Sequence, residues 1–215
     1  MRRLAAIMTM AALLSAGCDR NPLFLRLSAD YYPISAVGAV WEYSAEGGGT
    51  RIVTVIDQAI VDQRPCYRLQ SGAGYDYWIN ENGLLEHYED HRVLFNGYEV
   101  PVYQAWVTYL EWPLADGMSR RDSASAQAVS QGITLSHTWI RNTTVSGPED
   151  SPDGVWTQCY RVHQEETLIN WVRTAGYAPD TIYAVRDIWL APDVGMAAKV
   201  TPDSTVYLVS FTQGG

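Results

Sequence analysis

The sequence predicts an all-β protein: an antiparallel, strongly curved sheet or barrel that is built from two related β-meanders. Stretches rich in β-branched and aromatic residues recur along the chain, and turn sequences such as Glu-Asn-Gly (81–83) and Asn-Gly (96–97) separate them. Long helical patterns do not occur between these stretches. Closely spaced strands without helical connections favour antiparallel neighbours.

The individual strands follow from this composition and from the turns that bound them. The strands expected on this basis are 50–57, 65–69, 75–80, 84–95, 102–112, 137–145 and 155–163. Residues 118–131 are polar and rich in small side chains, which predicts a loop or a short helix. Residues 165–174 fit either a helix or a strand, and a turn rich in Gly, Pro and Asp is expected at 147–154.

The N-terminus resembles the signal peptide of a bacterial lipoprotein. Two arginines precede an apolar run at 4–14, which is shorter than the roughly 20 residues that a helix needs to cross a bilayer. The run ends in Leu-Leu-Ser-Ala-Gly-Cys (13–18), which is similar to the lipobox. The resemblance implies that the signal peptide, residues 1–17, is removed and that Cys18 carries acyl chains such as palmitate. An ordinary secretory signal peptide with an incidental cysteine is the alternative.

Lipidation at this position would define the organisation and location of the chain. Residues 18–30 would form a tether, and residues 31–215 a single β domain. The implied location is the cell envelope, with the lipid anchoring the protein to a membrane so that it faces the periplasm or the exterior. Asp19 resembles the inner-membrane retention signal of enteric bacteria.

The charge of the chain restricts its partners. The 215-residue sequence has a formal net charge of −9, and nucleic-acid binding requires basic side chains that neutralise phosphates. The same acidity disfavours adhesion to anionic lipid headgroups, so we expect the membrane link to be the lipid alone. Tyr (14) and Trp (8) outnumber Phe (3), which is typical of half-buried strands and also of aromatic-lined grooves.

The two halves of the β domain repeat the same motifs in the same order, which predicts quasi-repeats at about 31–108 and 109–212. The clearest correspondence is Cys-Tyr-Arg-Leu at 66–69 and Cys-Tyr-Arg-Val at 159–162. A Thr/Val-rich strand precedes each copy, and an aromatic-apolar segment with a glycine follows it. The spacings differ between the halves, as loop insertions would produce. Coincidence among generic β-patterns is the alternative.

Three motifs in this domain resemble those of uncharacterised exported bacterial lipoproteins that share a domain of unknown function. Residues 31–43 are similar to a Tyr-x-Pro segment that continues to Gly-x-x-Trp-x-Tyr. Residues 152–159 match Pro-x-Gly-x-aromatic-x-x-Cys, and residues 189–199 resemble aromatic-x-Ala-Pro-Gly-Val-Gly followed by Lys, with Asp193 in place of the first of the two glycines. The resemblance implies a curved sheet or barrel comparable with lipoprotein-carrier and lipocalin-like folds, and it implies no activity.

Cys66 and Cys159 are the thiols that remain once Cys18 is acylated. An oxidising envelope favours a disulfide between them. They occupy equivalent strand positions of the two halves, and such positions can meet on a pseudo-two-fold axis. Alternation also places Cys159 and Arg161 together on the more polar face of their strand. Two separate thiols are the alternative, and the absence of a Cys-x-x-Cys spacing argues against redox or metal chemistry.

His87, Glu89 and His91 form the pattern that most resembles a metal site. They alternate onto one face of a predicted strand with neighbours about 7 Å apart, and imidazole and carboxylate groups bind zinc. The three span about 14 Å, which is too far for one ion without a bend in the strand. A solvated polar strand face is therefore the favoured interpretation, with no metal bound, and a metal site is the alternative.

Catalytic motifs of hydrolases and nucleotide-binding enzymes do not occur: the sequence lacks Gly-x-Ser-x-Gly, His-Glu-x-x-His and Gly-x-Gly-x-x-Gly. We therefore expect a non-enzymatic, lipid-anchored envelope lipoprotein without a cofactor. It would bind a protein partner or a hydrophobic ligand, or support a larger envelope complex. A metal-dependent envelope protein or hydrolase that uses His87, Glu89 and His91 is the alternative.

The lipidation hypothesis predicts that Cys18→Ser abolishes membrane attachment, because serine lacks the thiol that the acyl group requires. The wild-type protein should stay in the membrane pellet after an alkaline wash, and the variant should not. Cys66→Ser is the matched control and should remain in the pellet. A Cys18→Ser protein that resists the wash would show that the anchor lies elsewhere.

Overall fold

The computed structural model of the chain describes residues 30–34, 36–173 and 177–215, and over these residues the protein is all-β. The predicted fold class is confirmed, because 12 antiparallel strands form one strongly curved, barrel-shaped sheet. No helix in the described part of the chain has the length and apolarity to span a membrane. The predicted signal peptide, Cys18 and the tether up to residue 29 lie outside the described residues.

Seven of the twelve strands overlap sequence-predicted segments, and the strands are numbered in chain order. They are β1 (Val40–Ala45), β2 (Thr50–Val61), β3 (Arg64–Ser71), β4 (Gly74–Glu81), β5 (Leu84–Phe95), β6 (Tyr98–Glu111), β7 (Ser119–Ser130), β8 (Ile133–Glu149), β9 (Cys159–Arg173), β10 (Asp180–Ala191), β11 (Gly195–Thr201) and β12 (Ser204–Thr212). Residues 165–173 continue β9, so of the two structures weighed for 165–174 the strand is the one that forms.

Strands that are adjacent in sequence pair with each other, and β1 also pairs with β12. The sheet order is therefore β6-β5-β4-β3-β2-β1-β12-β11-β10-β9-β8-β7. Each half of the chain contributes six strands, β1–β6 and β7–β12. This division parallels the quasi-repeats at about 31–108 and 109–212, whose common ancestry stays a prediction.

The barrel has a seam between β6 and β7, where the described residues form no backbone ladder. Side chains bridge the seam instead. Arg120 Nη1 donates to Glu111 Oε1 over 2.5 Å, and Arg141 Nη2 donates to the carbonyl of Thr108 over 3.1 Å. Unpaired strand edges are otherwise prone to pair with other chains, so these contacts stabilise the closed form.

The prediction of a loop or short helix at 118–131 is wrong, because Ser119–Ser130 is strand β7. It pairs with β8 along its whole length, from Ser119 opposite Thr144 to Ser130 opposite Ile133. Ser and Ala have weak strand propensity, so the continuous ladder with β8 outweighs the local preference.

The lower end of the barrel is closed by the N-terminal residues 30–34 and 36–39. Ile34 is fully buried there, and the Gly38 amide donates to the carbonyl of Val55 over 2.8 Å. The upper end of the barrel is the opposite one, where the hairpin turns 46–49, 72–73 and 202–203 lie. A closed lower end leaves the upper end as the side from which the interior can be reached.

The main core fills the lower part of the barrel and is rich in Tyr and Trp. These rings combine a large apolar area with a polar group that can be hydrogen-bonded, as where Trp41 Nε1 donates to the carbonyl of Val194 over 2.6 Å. The buried members of this core are Tyr31, Ile34, Ala39, Trp41, Tyr43, Val55, Leu69, Trp78, Leu85, Tyr109, Leu110, Leu114, Val145, Tyr160, Val162, Ile188, Leu190 and Leu208. A smaller apolar cluster packs the upper parts of β5 and β6 against β8.

The predicted disulfide between Cys66 and Cys159 is not present, and both residues are free, buried thiols. Cys66 lies in β3 and Cys159 in β9, with five strands between them in the sheet. At about 4.8 Å per strand they are far beyond the roughly 7 Å between Cα atoms that a disulfide tolerates. They do occupy the third strand of each half, but equivalent positions of two six-strand halves lie on opposite sides of a barrel.

Both thiols should be slow to react in the folded protein. The Cys66 thiol donates to the Ala59 carbonyl, and burial raises the pKa of both cysteines, that of Cys159 to about 11. Since the thiolate is the reactive form, alkylation should be slow until the chain unfolds. Denatured, unreduced protein lacking Cys18 should then take up two alkyl groups, and Cys66→Ser should take up one. A chain that takes up none before reduction would contradict the structure.

Candidate functional site

A cavity of about 330 Å³ lies inside the barrel between the core and the upper end. Its volume is in the lower part of the range for small-molecule sites. Aromatic rings, aliphatic side chains and ionisable groups all contribute to its wall. The lining residues are Tyr32, Trp41, Tyr43, Arg51, Val53, Leu69, Asp76, Trp78, His87, Glu89, His91, Tyr109, Glu166, Leu168, Arg186, Ile188, Leu190, Met196 and Lys199.

The floor of the cavity is aromatic. Tyr32 packs against Trp78 and Trp41, with ring centroids 5.3 Å and 6.5 Å apart. Asn80 Nδ2 donates to the carbonyl of Tyr32 over 2.9 Å, which fixes the N-terminal segment beneath the rings. Tyr109 meets Trp78 edge to face at 5.1 Å. These contacts hold the rings in place, so the floor is a preformed apolar surface.

The expectation of a solvated face for His87, Glu89 and His91 is wrong. The structure brings all three together on the inner face of β5, where their side chains are 18%, 14% and 14% exposed. His87 Nδ1 and His91 Nε2 each lie 3.2 Å from a different oxygen of Glu89. Both faces of this strand carry polar residues, so alternation grouped the three side chains correctly without indicating which face is buried.

Residues of three other strands extend this cluster at its ends. His87 Nε2 lies 3.6 Å from Asp76 Oδ1. His91 Nδ1 shares a hydrogen bond of 2.8 Å with His137 Nε2, and the other nitrogen of His137 lies 2.7 Å from Asn170 Oδ1. The result is a continuous row of hydrogen-bonding side chains that crosses the barrel from β4 to β9.

Arg141 is the buried counter-charge of this row and was not identified from the sequence. Its side chain has no exposed surface, and Nη1 donates to Glu89 Oε1 over 3.2 Å. The guanidinium also lies over the rings of Trp139 and Tyr109, 4.9 Å and 5.2 Å from their centroids. The alternation of 137–145 places His137, Trp139 and Arg141 on one face, so a sequence signal for this group existed.

These contacts shift the pKa values of the row. Burial alone would lower the pKa of His87, but hydrogen bonds with Asp76 and Glu89 raise it from 6.5 to about 8. Burial alone would raise the pKa of Glu89, whereas its two histidine partners and Arg141 hold it well below the usual range. The pKa of His137 is lowered, first by burial. At neutral pH the row therefore contains an ionised Glu89 beside a protonated His87.

Three cations occupy the cavity wall opposite the histidine row: Arg51 of β2, Arg186 of β10 and Lys199 of β11. Arg51 Nε donates to Ser71 Oγ over 2.7 Å, and Arg186 Nε donates to Gln164 Oε1 over 2.7 Å. Arg51 is exposed, so the cavity reaches solvent at this wall.

A β-bulge aims Lys199 into the cavity. Leu190 faces Met196 across the β10–β11 ladder and Ile188 faces Lys199, so Ala197 is an extra residue between them. Regular alternation would have put Lys199 on the outer face with Ala197, and the bulge reverses this.

The described residues contain no group of three or more His, Cys, Asp or Glu side chains that could hold a metal ion. His87, Glu89 and His91 satisfy one another and Arg141 rather than pointing at a common vacancy. Cys18, the predicted lipidation site, lies outside the described residues. Cys66 and Cys159 lie on the outer face of the sheet and take no part in the cavity.

The comparisons with known proteins are sparse. No protein-family model matches the sequence, and no curated protein matches it. Among solved structures, the chain is similar to a protein from Parabacteroides distasonis ATCC 8503 described as a "putative lipoprotein". The two share 12% sequence identity at a TM-score of 0.47, over 86% of this chain and 99% of that chain.

His87 predicts a pH dependence of stability. Its pKa in the folded protein, about 8, lies above the unfolded value of 6.5, so its stabilisation is complete below pH 6.5 and is lost as the pH rises through about 8. The free energy of unfolding should fall by about 2 kcal/mol across this window. His87→Gln should flatten the decline, measured by urea denaturation at several pH values.

His163 provides the matched control, because it lies on the outer face of β9, half-exposed and 3.0 Å from Asp187. His163→Gln should retain the decline between pH 6.5 and pH 8. An unchanged decline in His87→Gln would show that His87 does not carry its extra proton in the folded state.

Proposed function

We propose that the protein is a lipid-anchored lipoprotein of the cell envelope that binds a small amphiphilic molecule inside its barrel and does not transform it. The lipobox-like sequence at 13–18 supports the anchor. The observation that carries the binding function is the cavity of about 330 Å³, which has an aromatic floor and an ionic upper wall.

The division of the lining favours a ligand with two chemically different ends. Trp41, Trp78 and Tyr32 offer flat apolar surface at the closed lower end, where a ring or a short alkyl group would leave water. Arg51 and Lys199 lie near the upper turns, where the polar end of the same molecule would meet them. A ligand that is hydrophobic throughout would bury these charges without partners, which is costly.

The arrangement of the ionisable groups supports binding rather than catalysis. Glu89 is held ionised by His87, His91 and Arg141, so it is a poor proton acceptor at neutral pH. The lining residues include no Ser, Thr or Cys that a neighbouring histidine could activate as a nucleophile. The histidines are occupied by carboxylates and by each other.

Native mass spectrometry tests the proposal. The mature chain lacking Cys18 is incubated with a solvent extract of cell envelopes, desalted and weighed under native conditions. We expect a bound small molecule on the wild-type protein and its loss from Leu168→Trp, because the larger side chain fills the cavity from β9.

Ile60→Trp is the matched control, since Ile60 is 79% exposed and does not line the cavity. It should keep the adduct. A wild-type protein without any adduct, or an adduct that survives in Leu168→Trp, would refute binding inside the barrel. Turnover of the captured molecule would refute the non-enzymatic part of the proposal.

A further inference from the structure

The carboxylates of the cavity wall all have a partner of opposite charge, whereas two of its cations have none among the described residues. Its three carboxylates each have a basic partner: Asp76 lies 3.6 Å from His87, Glu89 lies 3.2 Å from Arg141, and Glu166 lies 3.9 Å from Arg186. Glu166 also accepts a hydrogen bond of 2.6 Å from Trp139 Nε1. Each wall carboxylate is therefore already paired with a basic side chain of the protein.

Two of the three wall cations lack such a partner. Within the described residues, neither Arg51 nor Lys199 has a carboxylate oxygen within 4.0 Å, and the bond of Arg51 to Ser71 is to a neutral hydroxyl. The charge of Asp76 acts to raise the pKa of Lys199, but the ion pair of Asp76 is with His87. The wall formed by Arg51, Arg186 and Lys199 thus carries positive charge that no carboxylate in the described part of the chain neutralises, in a chain whose formal net charge is −9.

Lys199 is the least expected of these cations. It is half-buried, and burial together with the charges of Arg186 and Arg51 lowers the pKa of its amine. Partial desolvation and the mutual repulsion of three cations both oppose folding. A bulge at Ala197 nonetheless turns Lys199 inward.

We propose that Arg51, Lys199 and Arg186 form a subsite for an anionic group of the ligand: a carboxylate, sulfonate or phosphate. This inference rests on the proposed function and specifies which class of amphiphile the cavity takes. The apolar part of the ligand would contact Trp41 and Trp78, and the anion would supply the counter-charge that the wall lacks. Arginine and lysine donate several hydrogen bonds to oxyanions, and such charge-assisted bonds are the stronger ones.

Two fluorescent probes with the same aromatic body separate the anion from the apolar part. They are 1-anilinonaphthalene-8-sulfonate and the neutral N-phenyl-1-naphthylamine, titrated into the mature chain from Asp19 to Gly215, which retains all described residues. We expect the sulfonate to bind the wild type more tightly. Lys199→Met should weaken the sulfonate about tenfold and the neutral probe less than about twofold. Lys199→Arg should restore most of the sulfonate affinity.

Arg92→Met is the matched control, because Arg92 is exposed and pairs with Asp90 over 2.9 Å outside the cavity. It should leave both affinities unchanged. Retained binding of the neutral probe also shows that Lys199→Met still folds.

The outcomes separate the two proposals. If both probes bind the wild type equally, or if Lys199→Met weakens both equally, the anion subsite is wrong and the binding cavity stands. If neither probe binds, or if Leu168→Trp leaves both affinities unchanged, binding in the cavity fails and the subsite fails with it.

Discussion

The buried guanidinium of Arg141 is the interaction on which the rest of the structure depends. It has no exposed surface, it pairs with Glu89 of β5, and it donates to the edge carbonyl of Thr108 in β6. Arg141 itself belongs to β8, so these bonds cross the seam where β6 and β7 form no ladder. A buried charge is tolerated only when its partners are in place, which ties closure of the barrel to the position of Glu89.

The electrostatics of the cavity follow from this constraint. Glu89 neutralises Arg141 together with Asp122, whose Oδ2 lies 3.7 Å from Arg141 Nη2. Glu89 also orients His87 and His91, so this carboxylate has no capacity left for a ligand. Arg51 of β2 and Lys199 of β11 do not share this carboxylate, since neither has a Glu89 oxygen within 4.0 Å. The charges around Glu89 are therefore paired within the protein. The wall that carries Arg51 and Lys199 retains the capacity to bind an anion above the aromatic floor.

Part of this site could be read from the chain. Alternation grouped His87, Glu89 and His91 correctly, because side chains two apart in a strand share a face. Alternation could not indicate whether that face is buried, because burial depends on which residues from other strands pack against it. The correspondence of Cys66 and Cys159 also placed them in equivalent strands, yet equivalence put them on opposite sides of the sheet rather than in contact.

The sequence by itself determined the all-β class, seven of the twelve strands and hairpin turns such as 81–83 and 96–97, because turn chemistry and side-chain alternation act over a few residues. Only the tertiary structure decided that 119–130 is a strand, that a bulge at Ala197 directs Lys199 inward, and that Arg141 meets Glu89. Each of these depends on pairing partners or contacts distant in sequence. Closure of the sheet brings these distant residues together, and no local pattern in the chain encodes those contacts.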